Sequence, residues 1–259
     1  MNAHARTQIS ELARRSIVRT IRQPAQVVPA ITFPLFLFAI NAAGLDSAAQ
    51  LPGFPAPDYL TWIVAVPFMQ AGLFAVAGLG ADLARDIETG FLDRLALTPL
   101  SRTGLVSGQM AGTIGLGIFQ GLVFLAVGLA AGATFETGLP GAVVLILLEI
   151  AIVFAFGLIG ITAAFRFGNG EAVQGLFPLL FVFLFLSTMA LPADLIQQDW
   201  FRWIAEHNPI SFIFSGIRSL FYGGWDPTAL AEAFGVAALI SIVFMPLAVR
   251  ALNARVVRT

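Results

Sequence analysis

Cysteine is absent from the 259 residues, so the chain has no disulfide framework, thiolate nucleophile or cysteine metal site. Lysine is absent as well, and all fourteen basic residues are arginine. Without lysine the phosphate loop GxxxxGK[ST] cannot be written, which excludes ATP binding by that route. Histidine occurs twice, at His4 and His207, far apart in the sequence, so a metal centre is not expected. No GxSxG, HExxH or Ser/His/Asp set stands out, and nothing argues for an enzyme. Charge is scarce: 11% of residues, against about 25% in a soluble domain. What fills the space is apolar. The chain is 58% hydrophobic with a mean hydropathy of +0.87, the composition of a polytopic membrane protein. No nucleic-acid partner is expected.

About 20 apolar residues cross the hydrocarbon core. Six runs between charges meet that length: Gln23–Leu45 with Pro29 and Pro34 inside it, Tyr59–Ala81, a run within Thr103–Phe135, about Gly141–Phe165, Ala172–Leu191, and about Ala233–Val249. The first is read as a retained helix. As a signal peptide it would have a leading region of more than twenty residues containing Glu11. With the N-terminus placed in the cytoplasm, twelve arginines fall inside and only Arg202 and Arg218 outside, as the positive-inside rule requires. Tyr59, Trp62, Trp200, Trp203, Tyr222 and Trp225 then fall near the outer interface, where amphipathic rings prefer to sit. Residues 7–22 set Ile9, Leu12, Ile17 and Ile21 against Arg14, Arg15, Arg19 and Arg22, the pattern of a helix lying among inner headgroups.

The chain is organised around one polar stretch, 82–100, between the second and third runs. At 100° per residue, Leu83, Ile87, Phe91, Leu92 and Leu95 share one arc, while Arg85, Asp86, Thr89 and Asp93 share the other. A short amphipathic cytoplasmic helix is expected, stopped at Thr98-Pro99. Glu88 leans toward the apolar arc, which suits a face that docks in a groove on a partner; the plainer reading is a snorkelling side chain. The other inner loop, Arg166 to Glu171, is a tight turn with glycines flanking Asn169.

The last outer segment, 192–222, is too apolar for an ordinary loop and too short for a span. Leu191-Pro192 ends the fifth run. Asn208 is a good helix N-cap, Pro209 suits the first helical position, and Gly223-Gly224 is a good stop. Helices dipping into the outer leaflet are expected. Arg218, late in the outer helix, suits the helix dipole and a headgroup contact, with a substrate role as the alternative. Glu149 sits near the middle of the fourth run, where a charge costs about 2.5–3.5 kcal/mol. It is either a substrate contact or protonatable gate, or a hydrogen-bonded group joining two helices.

Two blocks carry a family resemblance. One is Glu88-x-Gly90-x-x-x-Arg94-Leu95-x-x-Thr98-Pro99-x-Ser101-Arg102. The other is Phe185-Leu-Ser187, Pro192, Trp203-Ile-Ala-Glu-His-Asn208-Pro209 and Ile217-Arg218. In their order and spacing, with the six-run layout, they resemble permeases of the type-2 ATP-binding cassette exporters, in the daunorubicin-resistance group. Asp93 departs from the pattern, since many relatives carry Glu there; the charge is kept. The resemblance covers essentially the whole chain. It implies an all-α membrane protein with six spans and both termini inside, forming a single domain over 1–259. Within it, 7–22 would be the interfacial helix, 82–100 the coupling helix and 192–222 the external re-entrant segment. It implies Arg85, Asp86, Glu88, Gly90, Phe91, Leu92, Leu95 and Pro99 at the ATPase contact, and Glu149, Ser187, Pro192, Asn208, Pro209 and Arg218 along a pathway or gate. Its partners would be cytoplasmic ATPase subunits, which hold ATP and Mg²⁺, and a second identical or paralogous permease, surrounded by lipid. The chain itself would hold no cofactor and would sit in a prokaryotic plasma membrane, exporting a hydrophobic or amphipathic compound such as a drug, antibiotic or lipid. A proton-coupled transporter using Glu149, or a non-transporting membrane scaffold or sensor, are the competing readings.

Overall fold

The computed structural model describes residues 13–20, 22–90, 106 and 108–256. The described residues form α1 (13–20), α2 (Pro24–Gly44), α3 (Tyr59–Ile63), α4 (Ala65–Glu88), α5 (Ala111–Ala131), α6 (Gly138–Phe167), α7 (Gly170–Phe185), α8 (Asp199–His207), α9 (Pro209–Arg218) and α10 (Pro227–Val256). Among the described residues, five stretches are long and apolar enough to cross a membrane: α2, α3–α4 together, α5, α6 and α10. The protein is a multi-pass helical membrane protein.

Proline sets several of the local features. Pro67 has no N–H to give the Ile63 carbonyl, and the chain breaks between α3 and α4 at Val64. Pro34 leaves the Ala30 carbonyl without its donor inside α2, and Gln120 of α5 fills the vacancy, Nε2 to O 2.6 Å. The turn between α6 and α7 forms as its residues predict. Gly168 takes φ 77° and the Asn169 side chain accepts from the Ala172 amide at 2.8 Å.

The second spanning stretch is the core of the molecule. It is 83% buried over its most apolar window, while α2 and α10 are 17% buried and lie at the periphery. Helix α4 packs against α2, α5, α6, α7 and α9. Its closest neighbour is α6. Gly72 lies against Ile152 and Phe156, and Gly80 against Gly160, so contacts advance together along the two helices and they run parallel. At the second point the backbones nearly touch: a Cβ on Gly80 would lie 3.1 Å from the Gly160 carbonyl oxygen, a spacing only small residues permit.

Two expectations are corrected here. The run Ala172–Leu191 was expected to span, but α7 stops at Phe185 after 16 residues, about 24 Å at 1.5 Å per residue, short of the roughly 30 Å core. The helix ends because Asn208 reaches back, its Nδ2 donating to the Phe183 and Leu186 carbonyls at 2.7 and 3.0 Å. The polar stretch after the second run was expected to begin a separate helix near residue 82. Instead residues 82–88 continue α4 without a break, and only then does Gly90 turn the chain with φ 68°.

Candidate functional site

At one end of the helices, α1 contacts both the end of α4 and the residues leading into α5. Arg19 Nη1 reaches Asp86 Oδ1 at 2.8 Å and its Nη2 reaches Asp82 Oδ1 at 3.1 Å. Arg15 adds a contact to Asp86 at 3.3 Å. Both pairs are spaced i, i+4, so two arginines one turn apart meet two aspartates one turn apart. Next to these arginines on α1, Ser16 Oγ donates to the Gln109 carbonyl at 2.8 Å and accepts from the Gly112 amide at 3.0 Å. Gly112 has no room for a side chain, because a Cβ there would lie 2.5 Å from the Ser16 carbonyl oxygen.

This arrangement reverses part of the expected helical wheel. The wheel puts Asp86 on the polar arc; it is only 4% exposed, on the buried side with Leu83, Ala84 and Ile87. The wheel turns Glu88 toward the apolar arc; it is exposed, beside exposed Arg85 and Thr89. The cause is the ion pairing, which draws a charged side chain onto an otherwise apolar face. Arg15 and Arg19 likewise turn toward α4 rather than toward headgroups. Gly90 closes the described part of the stretch. Phe91, Leu92, Leu95 and Pro99 lie outside the described residues.

Beside this latch is a cavity of about 320 Å³ between α2, α4, α5 and α7. Its inner end is polar, with Thr20, Gln26 and Asp82; its deeper walls are Phe74, Phe177 and small residues. Pro29 and Pro178 stand in the wall together with Ala25 and Gln174, the residues whose carbonyls lose an i+4 donor to those prolines. The lining thus suits a compound with an apolar body and a hydrogen-bonding end.

Glu149 lies on α6 against Gly121 of α5, 1% exposed, with no hydrogen-bond partner for either oxygen among the described residues. Gln70 of α4 is fully buried and equally without partners among them. Gly72 packs on Ile152, and Gln70 and Glu149 stand two and three residues outward of that contact, so the two lie at nearly one depth. A buried polar group without a partner costs about 1–3 kcal/mol. Glu149→Leu is accordingly expected to raise the thermal unfolding midpoint of the purified chain by several degrees. A lowered midpoint would mean that Glu149 has a partner and is a structural tie.

At the opposite end the 186–198 linker is held largely by side chains of other segments. Tyr59 Oη donates to the Ala190 carbonyl at 3.0 Å, and Trp62 Nε1 to the Met189 carbonyl at 3.1 Å. Ser187 donates to the Leu184 carbonyl. Pro192 begins the short 3₁₀ turn Ala193–Leu195. Asn208 caps α9 as its sequence predicts, accepting from the Ile210 amide at 2.9 Å, with Pro209 in the first position. Beyond α9 the chain makes a single π-turn, Ser219–Gly223, pinned by Thr137 and Glu136, and leaves it through Gly224 at φ 68°. Arg218 is turned inward from the end of α9. It is 3% exposed, stacked 3.4 Å over the Trp62 ring and 4.9 Å from that of Phe214.

The residues that sequence reasoning missed are Asp82, Ser16, Gln109, Gln120, Tyr59 and Trp62 as contacts. The matching i, i+4 spacing of Arg15/Arg19 and Asp82/Asp86 was the one signal that could have found the latch.

Comparison with known proteins agrees with this architecture. The family model "ABC-2 type transporter" matches residues 7–222. The daunorubicin resistance ABC transporter permease protein DrrB1 of Streptomyces coeruleorubidus is 25% identical over 245 residues, 88% of this chain and 79% of that protein. Putative transport permeases ycf38 of Porphyra purpurea and Pyropia yezoensis are 26% and 24% identical, each over 83% of this chain and 74% of the relative. The chain belongs to the ABC-2 type transporter family, as a type-2 ABC permease.

Proposed function

We propose that this chain is the membrane subunit of an ATP-driven exporter that moves a hydrophobic or amphipathic compound out across the plasma membrane of a prokaryote. The single observation that carries the reading is the latch, since α1 grips the helices before and after the 90–105 segment. A segment held this way is a lever. A partner ATPase pressing on it tilts α4, the core helix, and α5 together. The chain has no phosphate loop of its own, so the nucleotide and its Mg²⁺ belong to that partner. The coupling face comprises exposed Arg85 and Glu88, Gly90, and Phe91, Leu92, Leu95 and Pro99, with Asp86 acting through α1. The short α7 completes its crossing with the 186–191 linker, the fifth of six crossings with both termini inside; two permeases per transporter and external re-entrant helices 192–222 complete the reading. The amphipathic cavity beside the latch supports cargo with an apolar body and a polar end.

The test is co-purification with the ATPase and transport in proteoliposomes. Glu88→Arg and Phe91→Asp are each expected to lose the ATPase on size exclusion while the permease stays folded. Retained binding with normal transport would overturn the coupling face. The orphan carboxyl of Glu149 favours one second reading, a proton-driven carrier. Transport by Glu149→Gln at the wild-type rate, still dependent on ATP, would dismiss it.

A further inference from the structure

A second cavity, about 340 Å³, opens on the outer side between the 188–193 linker, α9 and the start of α10. Arg218 forms part of its wall, with Thr188, Ser215, Ser219 and Tyr222 around it. No Asp or Glu lies within ion-pair distance of the guanidinium among the described residues. Its donors are only partly used. Nε donates to the Trp62 carbonyl at 3.1 Å, Nη2 to the Met189 carbonyl at 2.9 Å, and Nη1 stands 3.5 Å from Thr188 Oγ1, the long limit for such a bond. A guanidinium carries five N–H groups, so at least two remain. The Trp62 and Phe214 rings fix its plane and offset part of its desolvation, but neither rings nor carbonyls bring a full negative charge.

We infer that this outer cavity binds the anionic head, a carboxylate or phosphate, of an amphiphile. The planar fork of arginine suits two oxygens of such a group, and the Thr188 and Tyr222 hydroxyls supply further donors, whereas those of Ser215 and Ser219 already donate to the Ser211 and Gly216 carbonyls. The π-turn at Ser219–Gly223 widens the helix where Ser219, Tyr222 and Gly223 meet the cavity, a distortion that recurs at functional sites. The one acid in the wall, Asp226, is exposed at the mouth, and its Oδ1 accepts from the Thr228 and Ala229 amides at 2.9 and 3.0 Å. Its charge is thereby committed to the N-terminus of α10, and the buried cation governs the interior. The volume fits a head and a short length of chain.

The inference is tested on the purified full-length permease alone, so its outcome is independent of whether an ATPase drives export. Hexyl phosphate and hexanol are added to the chain in phosphatidylcholine nanodiscs, and the shift of the thermal midpoint is titrated. Hexyl phosphate is expected to stabilise the wild type, less so at high salt, while hexanol does not. Ala193→Trp fills the half-buried cavity wall without touching the Arg218 contacts, and Arg218→Lys keeps the charge but loses the fork. Each is expected to weaken hexyl phosphate by about tenfold or more. Equal stabilisation by hexanol, or wild-type affinity in Ala193→Trp, would overturn the assignment. Repeating the titration with phosphatidylglycerol in the nanodisc separates the two sources. Competition assigns the site to outer-leaflet lipid; unchanged affinity assigns it to an anionic compound other than lipid.

Discussion

Valine in place of Gly160 is expected to leave almost no folded permease. A side chain at this position points at backbone, which cannot rotate away. The first carbon would be driven into the Val76 carbonyl oxygen, with the Val76 Cα only 3.0 Å away. The reciprocal glycine, Gly80, already stands within 3.3 Å of the Gly160 Cα, measured from where its own Cβ would be. To admit valine, α4 and α6 must separate along their whole contact. That contact includes Gly72 on Ile152 and Gly157 under Met110 and Leu79. Overpacking a core costs about 1–3 kcal/mol when neighbours can repack, and occasionally more. Here the obstacle is main chain, so the upper end, about 3 kcal/mol or above, is expected. Gly160→Val should run as aggregate on size exclusion, and Gly160→Ala should melt several degrees below wild type. The control is Gly115, exposed on α5 with nothing within 4 Å of where a Cβ would stand, so that alanine is expected to be neutral or mildly stabilising. A Gly160→Val chain that elutes and melts like wild type would show that α4 and α6 do not pack this closely.

What the sequence made legible, and what it hid, divides along physical lines. Helices in lipid need long apolar runs, and five of the six runs became α2, α3–α4, α5, α6 and α10. Capping chemistry is local, so Asn208-Pro209 and Asn169 could be read directly. Contacts between distant segments could not. Ala172–Leu191 is apolar throughout, yet α7 ends at Phe185, because Tyr59, Trp62, Asn208 and Arg218 hold the following carbonyls from outside. No period within the run encodes partners that lie 22 to 131 residues away. The burial of Arg218 was hidden for the same reason: its neighbours Trp62 and Met189 come from other parts of the chain. Asp86 is the clearest case. A helical wheel treats every charge as seeking water, whereas this one is drawn inward by Arg19 and Arg15.

Removing that inward charge gives the second large effect. Asp86→Ala is expected to separate ATP hydrolysis from transport rather than to stop hydrolysis. The Asp86 side chain is 6% exposed and its Oδ1 serves two arginines, so alanine leaves Arg19 with Asp82 alone. Breaking a fully buried pair costs about 3–5 kcal/mol. Arg15 and Arg19 keep 40% and 19% side-chain exposure, so about 2 kcal/mol is the appropriate scale. A loss of that size shifts the balance between joined and separated α1 and α4 by roughly thirtyfold, while the spans stay packed. With α1 loose, a push on the 90–105 segment is taken up in the gap instead of passing into α4. Proteoliposomes holding Asp86→Ala with the ATPase should hydrolyse ATP near the wild-type rate and transport little. Asp86→Glu should recover part of the transport, since it restores the charge. The pairing is isolated by a double-mutant cycle. Asp86→Ala and Arg19→Ala should be less than additive in thermal stability, whereas Asp86→Ala and Gly115→Ala, which share no contact, should add. Full additivity of the first pair, or transport by Asp86→Ala at the wild-type rate, would remove the latch from the mechanism and leave α1 as no more than a surface helix.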